Sequence, residues 1–239
     1  MGKINDFFDI LFRHLPGYIF GLLTFMIGTS GFIIAILLSP DYILWEKSIS
    51  VLGHQPGGIF SRIGLIISNL LAIPFIIYIA RTLRDDHMNE KIIKSAVGIG
   101  IFISIVAALS GVISGRVQFI KDLHGLLALF SWIGALIVCF LFGYLMLKNQ
   151  KYSKSAVYFS FIIAAIFASF LIPFFITNFC SANPNICGTF GTRVYTIMPT
   201  YEWIVMFSIL FWYLFNSIYI LRNKINLSNS KIKSEVYHE

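Results

Sequence analysis

Residues 124–147 read HGLLALFSWIGALIVCFLFGYLML and decide the fold of this chain. The stretch contains no Asp, Glu, Lys or Arg. Its apolar residues run continuously, whereas a strand of a membrane barrel alternates apolar and polar residues. About 20 apolar residues suffice for an α-helix to cross a bilayer, because the helix rises about 1.5 Å per residue. The stretch therefore predicts a transmembrane α-helix.

Five other stretches meet the same test of length and composition, and they are residues 17–39, 59–80, 95–115, 155–177 and 201–221. The chain has 239 residues, of which 57% are hydrophobic and 12% are charged, whereas soluble domains carry about 25% charged residues. Six spans leave no room for a separate soluble domain. We therefore expect an all-α polytopic membrane protein, in which residues 17–221 form a bundle of six transmembrane helices.

The two ends of the chain are predicted to lie outside this bundle. Residues 1–16 favour an amphipathic helix in the membrane interface, because their apolar residues recur at helical spacing. These apolar residues are Ile4, Phe7, Phe8, Leu11, Phe12 and Leu15. Asp6 and Asp9 interrupt them, so we do not expect a signal peptide. Residues 222–239 are polar and are predicted to form a cytoplasmic tail.

The basic residues predict how the chain is oriented in the membrane. Of the 18 Lys and Arg residues, 13 fall on one side of a six-span arrangement. The other five are Lys47, Arg62, Arg116, Lys121 and Arg193. Because cytoplasmic loops carry the excess of Lys and Arg, both termini are predicted to lie in the cytoplasm, and we expect the plasma membrane as the location. This asymmetry explains the net charge of +7 without nucleic acid as a partner.

The first outer connection, residues 40–62, is unusually polar for this chain and reads PDYILWEKSISVLGHQPGGIFSR. Trp45, Ile49 and Leu52 are spaced to lie along one side of a helix, and Trp favours the membrane interface. We therefore predict a helical segment over residues 43–52 that rests on the outer face. It would hold Ser50 and His54 toward His124, because polar groups near lipid need partners within the protein.

Three outer connections bring polar side chains to one end of the predicted bundle, as a ligand site requires. The third of them contributes Arg193, Tyr195, Tyr201 and Glu202. Arg62, Arg116 and Lys121 are candidate contacts for lipid headgroups, because cations at interface depth attract phosphate. Solvated loops and helix caps are the alternative interpretation of all these residues.

A second set of outer residues has the side chains of a catalytic or metal site. The candidate catalytic residues are Ser50, His54, Asp122 and His124. A serine beside a histidine can act as a nucleophile with its base, and His54 and His124 with a carboxylate have the ligand types of a zinc or iron site. Asp122 and His124, however, point to different faces of a helix. We predict no metal and no other cofactor.

Cys180 and Cys187 flank a short segment of the third outer connection. Both would face an oxidising compartment, so we predict a disulfide bond between them. Cys139 lies in the middle of a span and is interpreted as a small buried apolar residue.

Several short motifs together resemble a known family. They are Pro40-Asp41-Tyr42, Ile49-Ser50-Val51-Leu52-Gly53, Ile59-Phe60 and His124-Gly125-Leu126-Leu127-Ala128. The chain resembles a large group of six-helix prokaryotic membrane proteins of unknown function, which have an Ile-Ser-x-Leu-Gly loop and are distantly similar to the eukaryotic DRAM/Sfk/FRAG membrane proteins. The resemblance implies a role around phospholipid distribution and membrane trafficking. That family usually has a polar residue, often Asp, where this chain has Val51.

The spans themselves narrow the function. None has Asp, Glu, Lys or Arg at its middle, and such residues are usual in ion pumps and ion-coupled transporters. Three hypotheses remain. The first is a lipid-interacting or membrane-organising protein, whose partners are membrane lipids. The second is a membrane enzyme acting on a lipid-borne substrate from the outer face, and the third is an accessory subunit of a membrane complex. A homo-oligomer is compatible with each.

Overall fold

Long helices make up most of the computed structural model, which describes residues 2–85, 88–113 and 117–223. Within these ranges the helices are α1 (Gly2–His14), α2 (Tyr18–Leu37), α3 (Ile49–Leu52), α4 (Gly58–Thr82), α5 (Glu90–Val112), α6 (Gln118–Lys148), α7 (Lys154–Ala182) and α8 (Pro184–Arg222). Helices α2 and α4 to α7, and Arg193–Arg222 of α8, are each long and apolar enough to cross a membrane. The chain is an all-α integral membrane protein, and its described residues include six such helices, as its composition predicts.

Several helices continue past the apolar windows that predicted them. Helix α5 begins at Glu90 and α6 at Gln118, whereas the windows begin at residues 95 and 124. A charged side chain ends an apolar window, but it does not end the backbone hydrogen bonding of a helix. At α5 the start is set by Asn89, whose Oδ1 accepts a hydrogen bond from the Lys91 N–H at 2.9 Å.

The six long helices form a ring. Each packs on the next one along the chain, in the order α2, α4, α5, α6, α7, α8, and α2 closes the ring by packing on α8. The backbones of α2 and α4 approach closely at two glycines, where a Cβ at Gly31 would lie 2.9 Å from the Cα of Gly64. Small residues permit such close contact between helices in lipid. The ring therefore encloses a central axis that all six helices face.

Aromatic side chains fill the ring from its middle toward the end that carries α1. Trp212 of α8 is fully buried, and its Nε1–H donates to Oγ of Ser160 on α7 at 2.9 Å. Phe75 of α4 and Phe142 of α6 pack on the same indole, with ring centroids 6.2 and 5.7 Å away. This core ties four helices together and closes the ring at what we call the α1 end. The opposite end, which carries α3, is called the α3 end.

Helix α1 packs against the last turns of α4. Phe12 is buried and packs edge-on against Tyr78 at 5.2 Å, and Arg81 forms an ion pair with Asp9. On the other side of α1, Phe7 is 58% exposed. The helix predicted for residues 1–16 is thus present and amphipathic, while its place in a membrane interface stays a prediction. Most of the predicted tail, residues 224–239, lies outside the described residues.

The prediction of a helix over residues 43–52 is wrong in its length, because only the single turn Ile49–Leu52 is helical. Ser48 caps that turn: its Oγ accepts the Val51 N–H at 3.4 Å, and Ser favours a helix start at this position. Before it, the chain turns around Tyr42, whose hydroxyl lies 2.7 Å from the Lys47 carbonyl oxygen and 3.0 Å from that of Ser48. The Ser48 carbonyl oxygen also accepts the Leu52 N–H of α3 at 3.2 Å, so the Lys47 carbonyl group is the one that a side chain takes from a longer helix.

The predicted disulfide bond between Cys180 and Cys187 is present, with their Cα atoms 5.4 Å apart. It joins the last turn of α7 to the first turn of α8. The long loop expected around it, residues 178–200, is instead mostly helical. The chain reverses direction at Asn183, and Gly188 breaks the first turn from the rest of α8 with a φ of 48°, a conformation that glycine adopts readily.

The orientation of the ring in the membrane stays a prediction, and cysteine labelling tests it. Gln118 is exposed at the α3 end and Gln150 is exposed at the α1 end. In intact cells, a membrane-impermeant maleimide should label Gln118→Cys and leave Gln150→Cys unlabelled until the cells are permeabilised, because basic residues concentrate at the α1 end. Buried Cys139 gives little background. Labelling of Gln150→Cys in intact cells would reverse the orientation.

Candidate functional site

A cavity of about 140 Å³ runs along the axis of the ring from the α3 end to the aromatic core. All six long helices line it, and α3 covers part of its mouth. Its floor includes Ile76, Val138 and Phe167. Arg62, at the mouth, lies roughly 21 Å above Ile76 along α4, given a rise of about 1.5 Å per residue. The cavity is therefore deep and narrow, and its two ends have different chemistry.

Tight turns place α3 over the mouth. A Cβ at Gly57 would lie 2.4 Å from the Ala35 carbonyl oxygen, and a Cβ at Gly58 would lie 2.3 Å from that of Gly53. Only residues without a side chain let the loop double back this closely between α3 and α4. Leu52 is fully buried beneath the loop. This packing leaves Ser50 facing the cavity.

Ser50 and His124 form a hydrogen bond at the mouth, as the sequence analysis predicts. The Oγ of Ser50 lies 3.0 Å from Nε2 of His124. The other ring nitrogen, Nδ1, lies 3.0 Å from the carbonyl oxygens of both Ser110 and Ile113, at the end of α5. Carbonyl oxygens only accept hydrogen bonds, so Nδ1 carries the proton of the neutral ring. The free lone pair of Nε2 then accepts the proton of the Ser50 hydroxyl.

Arg62 brings a positive charge into the same cavity. It extends from the first turns of α4 and is partly buried. Its Nε atom is buried and has no hydrogen-bond partner among the described residues. None of the ion pairs found in that part of the chain includes this side chain. The structure thus places a cation at the mouth that forms no ion pair with any described residue.

Glu202 brings a carboxyl group to another wall of the cavity. It lies on α8, lines the cavity, and accepts the Ile49 N–H through Oε2 at 3.0 Å. From the sequence, Glu202 is one of the polar groups of the third outer connection, with no predicted role of its own. An acid at the very start of an apolar stretch, here residues 201–221, is the signal that would have singled it out.

Next to Glu202, Trp203 fastens the loop to α8. Its Nε1–H donates to the Tyr42 hydroxyl at 3.1 Å, and its ring packs edge-on against Phe32 at 5.4 Å. Burial raises the pKa of Tyr42 to about 12, an effect that the Trp203 hydrogen bond opposes and the Glu202 charge adds to. Tyr42 therefore keeps its proton near neutral pH and holds the loop carbonyl groups in place.

The other candidate residues do not line the cavity. His54 is exposed at the end of α3, and Lys121 and Asp122 are exposed at the start of α6. Asp122 accepts a hydrogen bond from Nε2 of Gln118, one turn earlier, at 2.7 Å. Arg116 lies outside the described residues. Functional roles for these four residues stay predictions.

Within the described ranges, no group of three or more His, Cys, Asp or Glu side chains is placed to hold a metal ion. His124 is the only histidine among the residues lining the cavity, and its Nδ1 is engaged by backbone carbonyl groups. His124 is thus bonded to the backbone in the manner of a structural histidine. None of the family models, curated proteins or solved structures compared with the chain matches it, so the resemblance to the six-helix family stays a prediction.

The contact between Ser50 and His124 is expected to stabilise the α3 end. Ser50→Ala and His124→Ala should lower the thermal stability of the detergent-solubilised protein non-additively, with a coupling of about 0.5–3 kcal/mol, because they share one hydrogen-bond network. Ser169 provides the control, since its hydroxyl bonds to Ile166 of its own helix. The pair Ser169→Ala and His124→Ala should be additive, and equal coupling in both pairs would contradict the assignment.

Proposed function

We propose that this integral membrane protein binds a membrane amphiphile inside its ring, with a polar headgroup at the α3 end and an apolar chain below it. The observation that carries this proposal is one cavity with charged and polar groups at its mouth and apolar groups at its floor. Ligand sites are typically apolar clefts with a few precisely placed polar groups. Membrane lipids are then the partners, and the α3 end is the outer face predicted from the charges.

The cation at the mouth supports an anionic headgroup. Taking a guanidinium partly out of water is costly unless an anion or hydrogen-bond acceptors replace the water. Arg62 has a buried Nε without a partner among the described residues. A phosphate would supply acceptor oxygens in the geometry that guanidinium groups bind best. The lipid-headgroup contact proposed for Arg62 is therefore supported by the missing hydrogen-bond acceptor at its buried Nε atom.

The deeper walls support an apolar chain. Below the mouth the cavity is lined by side chains such as Val205, Leu210 and Ile209 of α8 and Ile103 of α5. Hydroxyl groups in these walls are largely satisfied by their own helices, for example Ser104, which donates to the Gly100 carbonyl oxygen at 2.9 Å. A short hydrocarbon segment in this space would contact mostly apolar side chains and hydroxyl groups that are already paired.

Loss of Arg62 is expected to release the amphiphile. Protein purified in mild detergent should retain bound lipid, and Arg62→Gln should retain about tenfold less, as measured by native mass spectrometry and lipid extraction, because one charge-assisted contact of this kind is worth about 1.5–3 kcal/mol. Arg193→Gln is the matched control, since Arg193 is exposed and does not line the cavity. Equal lipid retention by wild type and Arg62→Gln would contradict the proposal.

An enzyme acting on a lipid-borne substrate is the second candidate, and the geometry of Ser50 and His124 favours it. A serine hydroxyl that donates to a neutral imidazole, whose other nitrogen is held by backbone carbonyl groups, has the arrangement of a nucleophile with its general base. In acyl transfer, Ser50 Oγ would attack an ester carbonyl carbon while Nε2 takes its proton. His124 would return that proton to the leaving alcohol, and water would then release the acyl group.

A fluorophosphonate probe tests this second candidate. Wild type is expected to be labelled at Ser50, as located by peptide mass spectrometry, and His124→Ala should reduce the labelling by roughly 10²-fold or more, as for removal of a general base. Ser131→Ala is the control, because the Ser131 hydroxyl also lines the cavity but bonds to its own helix at Leu127. Absence of labelling at Ser50 would leave amphiphile binding as the function without catalysis.

A further inference from the structure

We infer that the headgroup bound at the mouth is zwitterionic, with a phosphate held by Arg62 and an ammonium group, a short linker away, held by Glu202. The inference rests on the proposed amphiphile binding and adds the class of ligand. It begins from an unusual pair of charges. Arg62 and Glu202 line the same cavity, yet no ion pair joins them, or joins either to any other residue that the structure describes.

The ring explains why the two charges stay apart. Arg62 is on α4 and Glu202 is on α8, and α2 packs between these two helices. The two side chains therefore approach the cavity from separate walls. A ligand placed between them meets a positive group on one side and a negative group on the other.

Glu202 lacks a full set of partners for its carboxylate. Taking a carboxylate out of water is costly unless it is paired, and the backbone N–H of Ile49, which donates to Oε2, offsets that cost only in part. A single backbone donor does not neutralise a full negative charge. Acidic residues near lipid usually pair with a cation or mark a ligand path, and the described residues provide Glu202 with no cation.

Three kinds of headgroup fit this pair of charges differently. A purely anionic headgroup satisfies Arg62 but is repelled by Glu202, and a purely cationic one has the reverse problem. An uncharged headgroup leaves both charges without a partner. A phosphate linked to an ammonium satisfies both walls at once, and the Ser50 hydroxyl and the cavity mouth remain available for its neutral parts.

Competition between two phospholipids tests the inference. The full chain in detergent would be offered equal amounts of phosphatidylethanolamine and phosphatidylglycerol with identical acyl chains, and bound lipid would be measured by native mass spectrometry. The two lipids share the phosphate and differ in the ammonium group. Wild type should bind phosphatidylethanolamine about tenfold more, since one well-placed charge contact discriminates at this level.

Glu202→Gln is the decisive variant, because the amide oxygen can still accept the Ile49 N–H while the charge is removed. It should bind both lipids equally and keep the melting temperature of wild type. Arg62→Gln should bind both lipids about tenfold more weakly. If Glu202→Gln kept the tenfold preference, or if it lowered melting temperature and both affinities together, Glu202 would be only an anchor for α3 and the inference would be overturned.

The remaining outcomes separate this inference from the function on which it rests. Equal binding of the two lipids by wild type would overturn the zwitterionic headgroup and leave amphiphile binding intact. Binding of neither the two lipids nor free phosphoethanolamine would overturn both. Displacement of bound phosphatidylethanolamine by free phosphoethanolamine, but not by glycerol phosphate, would support the paired charges. Tight binding of free phosphoethanolamine with no binding of lipid would retain the paired charges and overturn the lipid as their source.

Discussion

The α3 end of this bundle depends on the imidazole of His124. One ring nitrogen lies within hydrogen-bond distance of two carbonyl oxygens at the end of α5, and the other holds Ser50 of α3. The end of a helix leaves carbonyl groups without partners, and lipid supplies none, so the chain must. His124 provides a donor to these carbonyl groups through Nδ1, and its Nε2 stays available for a hydrogen bond with Ser50. The same side chain therefore closes a helix and contributes to a site.

The difference between the two halves of the ring follows from side-chain size. Toward the α1 end, Trp212, Phe75 and Phe142 meet on the axis and fill it. Toward the α3 end, the face of α5 that lines the cavity carries small residues, including Gly100 and Ala107. Small side chains do not reach across a ring of this width, so the axis stays open there. The cavity is thus a consequence of where the aromatic residues stop.

Helix α8 links the cavity to the loop that covers it. Two consecutive residues do this work: Glu202 accepts the first N–H of α3, and Trp203 donates to Tyr42 in the loop. The carboxylate that faces the cavity is therefore also the anchor of the turn that carries Ser50. A ligand that contacts Glu202 therefore contacts the residue that anchors α3. Binding of a ligand in the cavity and the position of α3 are coupled through this side chain.

The sequence by itself determined the class of fold, because crossing a membrane depends on the length and composition of one continuous stretch, such as residues 124–147. The disulfide bond and the contact of Ser50 with His124 were also predictable, since these polar or reactive residues stand out beside apolar spans. The length of α3 was not, because the Tyr42 hydroxyl takes the Lys47 carbonyl group that a longer helix needs. Only the tertiary structure brought Glu202, 153 residues away from Ile49, into one cavity with Arg62. Which face of a nearly uniform apolar helix turns inward is set by packing against its neighbours in the ring, and no local pattern records it.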